Sequence, residues 1–215
     1  MTETEAAEVV IDVISRMAAQ DRPLMMRVLP EGQPKFWQHY PDQDARDPRT
    51  RSRWYYHVHA ANDRDGAEHG HFHLFLHRTQ MADGGEPLAT PAKGEDAPAH
   101  VVHIAGLSID QQGVPLSWFV TNRWVTDEFL YPANEIIARL DQYDVDCTPE
   151  DGLTNRLLTA MVALYREELA DLLRKRDAEI ARLAEIDGRQ ALEAGHAVLA
   201  SCPIDLDEKI SAVLA

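Results

Sequence analysis

Four histidines and a glutamate stand within 67-AEHGHFHLFLHR-78, and His69, His71, His73 and His77 all keep to odd positions. A second alternating pair, His57 and His59, lies just upstream in 53-RWYYHVH-59, and His103 follows in 100-HVVHIAGLS-108. Imidazole is a ligand for zinc, iron, copper and nickel, and near neutral pH it also serves as a base or a nucleophile. Side chains alternate across a strand, so parity assigns the face. Arg53, Tyr55, His57 and His59 share one face with His69, His71, His73, Phe75 and His77, while Trp54, Tyr56, Val58, Phe72, Leu74 and Leu76 make the other face apolar. A hairpin centred near Arg64 sets His59 opposite His69 and His57 opposite His71, with Cβ atoms about 4.5–5.5 Å apart. His103 on a third strand then lies beside His73. A slip of one residue would send the two histidine sets to opposite faces.

The expected site is therefore a patch of His57, His59, His69, His71, His73 and His103, with Glu68 at its edge. Imidazoles this close repel one another when protonated, so the patch must be neutral, hydrogen-bonded or neutralised by a metal. A divalent transition ion, zinc or iron first, fits the donor set. In an enzyme the ion would act as a Lewis acid or activate water or dioxygen, with Glu68 or a spare imidazole as base. Arg123 would clamp an anion or carboxylate, and Tyr55, beside Arg53, would orient a small-molecule substrate. The plainer alternatives are a polar sheet face without chemistry, a non-enzymatic metal-binding, sensing or assembly module, and an Arg123 paired only with Asp127 or Glu128. His39, with Asp42, belongs to an arm that could reach back as a lid. His100 has the opposite parity to His103, and His196 sits on a surface helix.

The elements that must carry these residues follow from pattern. Residues 4–20 read as an amphipathic helix, with Val9, Val10, Val13, Ile14 and Met17 on one side. Five prolines between Arg22 and Arg53 exclude a long helix and predict an extended arm over 22–52 anchored by Phe36, Trp37 and Tyr40. Strands are expected at 53–59, 69–77, 100–108 and 115–123, with a turn at 60–68 and a loop at 79–99. Beyond Pro132 the period becomes helical: a short helix at 132–143, a long one capped by Thr148 and ending at Gly188, then helices at 189–200 and 205–214. The order predicts a single α+β domain: a four-strand antiparallel meander over 53–124, with the helices of 1–21 and 132–215 on one face.

With 215 residues, 45% of them hydrophobic and 27% charged, the chain has the make-up of a soluble globular protein able to bury a core. Lys and Arg number 21 against 36 Asp and Glu, a net charge of −15. That balance argues against nucleic-acid and anionic-membrane partners. Cys147 and Cys202 form no CxxC pair, and the N-terminus lacks a basic leader, which together predict a reduced, cytoplasmic protein. The charged helix 171–187 has a solvated face that could instead pair with a second copy, making a homodimer through the C-terminal helices.

Three resemblances bear on function. The HxH pair His57 and His59 is similar to that of the metal-carrying cupins, although Glu68 stands nine residues after His59 and the strands are too few for a cupin barrel. The stretch 69-HGHFHLF-75 resembles the motif of the histidine-triad nucleotide hydrolases and transferases. That likeness implies His71 as a nucleophile on phosphorus, supported by His69 and His73; it leaves His57 and His59 unexplained. Finally, 54-WYYHVHA-60, 67-AEHGHFHLFLH-77 and 121-TNRWVTDE-128 together resemble a family of bacterial proteins catalogued as a domain of unknown function, over residues 37 to 140. This last resemblance implies no activity.

Overall fold

The computed structural model describes residues 1–59, 67–94, 99–193 and 195–215. The expected turn residues Asn62, Asp63, Arg64, Asp65 and Gly66, and positions 95–98 of the expected loop, lie outside the described residues. The architecture is α+β. Six strands, β1 (Tyr40–Arg46), β2 (Arg53–Val58), β3 (Gly70–His77), β4 (Val101–Ile109), β5 (Pro115–Thr121) and β6 (Val198–Pro203), pair antiparallel in sequence order. The helices are α1 (Glu3–Ala19), α2 (Leu24–Val28), α3 (Arg123–Thr126), α4 (Ala133–Ile137), α5 (Gly152–Leu164), α6 (Arg166–Asp187) and α7 (Leu206–Leu214). None of the described helices is long and apolar enough to cross a membrane.

The four expected strands form, and a further strand is added at each edge. The arm expected at 22–52 contains α2 and β1, because Tyr40, Ala45 and Arg46 find partners on β2 at Tyr56, Trp54 and Arg53. The helix expected at 189–200 is a short 3-10 turn followed by β6, since Gly195 turns the chain with φ +84° and the β-prone VLASCP segment then pairs with β5. The long expected helix is two helices broken at Tyr165, and its cap is Asp151 rather than Thr148. The Asp151 carboxylate accepts from the backbone N–H groups of Leu153 and Thr154 and from Arg27 at 2.9 Å, so it satisfies helix donors and joins α2 to α5 at once.

Parity is obeyed. Trp54, Tyr56, Val58, Phe72, Leu74 and Leu76 point into the main core with Val10 and Val13 of α1 and Leu157, Leu158, Leu169 and Leu173 of α5 and α6. Trp54 donates to Asn155 Oδ1 at 3.0 Å, tying sheet to helix inside that layer. The opposite face is also shut away: every residue of β2, β3 and β4 is buried, and Tyr55, Phe75 and Val101 form a small second apolar cluster there. Gly106 is required on that face. A Cβ there would stand 2.1 Å from the Phe119 ring across the strand pair, so the glycine lets Phe119 lie over the backbone.

Replacing Asp151 with alanine is expected to destabilise the fold by about 1–2 kcal/mol through loss of the helix cap. A urea titration should show a lower midpoint at unchanged slope; an unchanged midpoint would show that α5 does not depend on this cap.

Candidate metal centre

The β2–β3 register sets His57 opposite His71 and Tyr55 opposite His73, and the His59 N–H bonds to the His69 carbonyl. The hairpin alignment expected from the turn is therefore present. Between β3 and β4 a bulge intervenes: Leu74 pairs with Ala105 but Phe75 with His103, leaving Ile104 as the extra residue of β4. The bulge changes the parity of β4. Ser108 and Gly106 on one side of it, and His103 on the other, all come to face the histidines. His103 is thus not directly opposite His73, yet the two rings meet.

Three Nε2 atoms converge. His57 Nε2 lies 2.6 Å from His71 Nε2, which lies 3.0 Å from His73 Nε2. These three residues form one group able to hold a metal ion, all ligand atoms within 4.8 Å. Zinc–nitrogen bonds of 2.0–2.1 Å at tetrahedral angles place ligand nitrogens about 3.3 Å apart, so an ion needs only a small outward movement of the rings. The outer nitrogens are held from behind. His71 Nδ1 lies 2.8 Å from Glu68 Oε1, and Glu68 Oε2 accepts from the Ser108 hydroxyl at 2.7 Å. With Glu68 as acceptor, His71 donates from Nδ1 and presents a lone pair at Nε2. His73 Nδ1 lies 3.0 Å from His103 Nε2, and His103 Nδ1 lies 3.2 Å from Thr121 Oγ1. The Thr121 hydroxyl can donate or accept. The chain Thr121–His103–His73 can therefore carry its protons in either direction, and one direction frees His73 Nε2 for a metal.

Electrostatics favour neutral rings. The five rings of His57, His59, His71, His73 and His103 are between 1% and 8% exposed. Burial, and then the neighbouring His71, His103, His57 and His39, hold His73 well below the usual histidine range. His103 is pushed down to about 3 by burial and then by Arg176. Behind it Glu128, wholly buried, accepts from the His103 backbone N–H at 2.7 Å, and burial pushes its carboxyl up to about 7 against the pull of Arg176. Neutral imidazole is the form that binds metals.

The remaining expected residues divide. Tyr55 is on the histidine face, with its ring 5.0 Å from His73. His59 and Glu68 reach the patch, forming with His71 a second group able to hold an ion. His69 does not: its Nδ1 lies 2.9 Å from the Tyr56 hydroxyl, on the apolar side, because β3 begins only at Gly70 and the ring is free of the strand's alternation. His77 is at the far end of the strand, where its Nδ1 accepts from the Thr79 N–H. Arg123 opens α3 and donates to Asp127 at 2.7 Å and to Glu193, which leaves no contact with the histidines among the described residues. Its alternative partner Glu128 has turned inward. His39 pairs with Asp44 at 3.0 Å, not with Asp42, and stacks on Tyr55 with centroids 3.7 Å apart. Trp37 stands edge-on to His59 at 4.4 Å.

Ser108, Asp44 and Phe119 were not among the expected residues, and Glu128 was expected only as a partner of Arg123. Counted from His103, Ser108 falls on the wrong face unless the bulge is known, and Asp44 needs the unforeseen β1. Phe119, whose ring centre is 4.7 Å from that of His71, could have been found as the aromatic opposite a strand glycine.

The model of a family described as "Domain of unknown function (DUF6969)" matches residues 4–204, and the chain belongs to that family. The match extends well beyond residues 37 to 140 and takes in α1, β6 and the helices between. No curated protein and no solved structure matches the chain.

The pH dependence of the metal-free protein follows from the shifts. His69, His73, His77 and His103 all lie below the ordinary value when folded, so the unfolded chain binds more protons once the pH falls below about 6.5. Their contribution is complete above that value and declines as pH drops toward 3. Glu128 acts in the opposite sense, losing its contribution as pH rises from about 4.3 toward 7, but it is one group against four. The urea midpoint of stripped protein is expected to fall steadily from pH 6.5 to pH 4; a midpoint that stays level or climbs would contradict neutral buried rings.

Proposed function

We propose that this protein is a metalloprotein whose divalent transition ion, zinc or iron, is held by Nε2 of His57, His71 and His73, and that it is a metalloenzyme acting on a small molecule. The observation that carries the reading is the convergence of three Nε2 atoms whose rings are oriented from behind by Glu68 and His103. Outer partners of this kind fix the tautomer of ligand histidines. Isolated imidazoles have no need to gather in this way, and doing so costs desolvation and mutual repulsion.

Three protein ligands leave coordination positions open, which distinguishes catalytic from structural zinc sites. The ion would act as a Lewis acid or activate bound water. Trp37 stands edge-on to His57 and His59, and His39 stacks on Tyr55 and stands edge-on to His57; these two side chains, 58% and 41% exposed, are the solvent-facing cover of the buried cluster. The net charge of −15 weighs against a nucleic-acid substrate. A second reading, a metal-sensing module without turnover, is favoured by the depth of burial of His71 and His73. Nucleophilic attack by His71 on phosphorus fits less well. Its Nδ1 meets Glu68, its Nε2 faces two histidines, and it is 1% exposed.

Protein purified without an affinity tag is expected to carry at least one equivalent of zinc or iron by elemental analysis. Metal at a free concentration one hundred times its Kd should stabilise the stripped fold by about 2.7 kcal/mol. Replacing Glu68 with glutamine should weaken metal affinity by about 10–100-fold. Metal-free protein whose melting is unchanged by chelator and by added metal would refute the reading.

A further inference from the structure

The histidine face holds more donors than one ion uses. With Nε2 of His57, His71 and His73 assigned to an ion, His59 and Glu68 remain, and each contacts the His71 ring, Glu68 at Nδ1. His59, Glu68 and His71 place one ligand atom each within 4.8 Å of the others. The His59 ring lies 4.7 Å from that of His71 and tilts only 34° from it. Glu68 Oε1 is 2.8 Å from His71 Nδ1.

We propose that the centre takes two divalent cations, the second bound by His59, Glu68 and Nδ1 of His71, with the His71 ring bridging the pair. This rests on the metal-centre reading above and extends it. The second ion is a transition cation of the zinc or copper type, since two imidazoles and one carboxylate suit those ions better than magnesium or calcium. On binding it replaces the His71 Nδ1 proton, which leaves to solvent. Both nitrogens of His71 then hold metal through one imidazolate. The anionic ring between the two ions and the Glu68 carboxylate on the second supply two negative charges, offsetting like-charge repulsion where water is scarce. Ser108 keeps its bond to Glu68 Oε2 and orients that carboxylate as a ligand. The second ion lies on the side of the cluster where Trp37 stands edge-on to His59.

The two groups share only His71, so single substitutions separate them. Stripped full-length protein is titrated with zinc by calorimetry and with copper by electron paramagnetic resonance. The wild type should saturate at two equivalents, with the copper signal broadened or lost by coupling. His59→Gln should saturate at one equivalent and show an uncoupled mononuclear copper signal, while circular dichroism remains that of the wild type. His73→Gln should weaken the inner ion by at least about tenfold and leave His59-dependent binding in place. Saturation of the wild type at one equivalent overturns the two-ion proposal and leaves the single-ion reading standing. Two equivalents that persist uncoupled in His59→Gln also overturn it, because the second ion then lies elsewhere. No binding at all overturns both.

Discussion

Everything at the histidine face depends on the pairing register of β2 with β3. Because His57 is set directly opposite His71 and Tyr55 opposite His73, three imidazoles from two rigid strands aim one nitrogen each at a common point. The same register sends Trp54, Tyr56, Phe72 and Leu74 into the helical core. The apolar layer and the imidazole cluster are thus two consequences of one alignment. A slip by a single residue would bury histidines against α1 and α5 and expose the aromatic core, so core burial itself protects the site geometry. The β4 bulge adds a second condition, since it brings Ser108 and His103 to the same side and completes the support on both ends of the cluster.

Keeping these rings buried is a strained electrostatic arrangement. Each must shed its hydration, and His71, His103, His57 and His39 add to burial in depressing the proton affinity of His73. The compensation visible in the structure is directional. Glu68 with Ser108 holds His71, Thr121 with His103 holds His73, and Phe119 closes the floor over Gly106. A cation at the convergence point would replace the N···N hydrogen bonds among His57, His71 and His73 with metal–nitrogen bonds. Under the proposed metal reading, that exchange offsets the cost of burying so polar a face.

Much of this was legible in the sequence because period-2 alternation is local. The two core strands, their faces, the hairpin pairing of His57 with His71 and the α+β class all follow from parity and turn position. What was not legible depends on distant partners. β1 and β6 are weak strands that exist because β2 and β5 offer unpaired edges, so the proline-rich arm and the alanine-rich C-terminal stretch carry little signal of their own. His69 obeys the parity of its neighbours in sequence but lies just outside the strand, where Tyr56 claims it. Thr148 looks like a helix cap, yet Asp151 displaces it because Arg27, far away in the chain, reinforces the carboxylate. For Arg123 the sequence offers either an anion clamp or a pair with Asp127 or Glu128; the Asp127 pair forms, while the added contact with Glu193 depends on the segment before β6.

Membership of a family defined only as a domain of unknown function places the burden of interpretation on this geometry. The central claim is that imidazole nitrogens of His57, His71 and His73 form the inner coordination shell of a transition metal. X-ray absorption at the metal edge of the loaded protein measures that shell directly. In protein whose second position is removed by His59→Gln, at least three nitrogen neighbours at about 2.0–2.1 Å with the outer-shell scattering of imidazole rings are expected, and they are lost when His73 is substituted as well; a shell of oxygens alone, or one unaltered by that second substitution, would contradict the metal-centre reading.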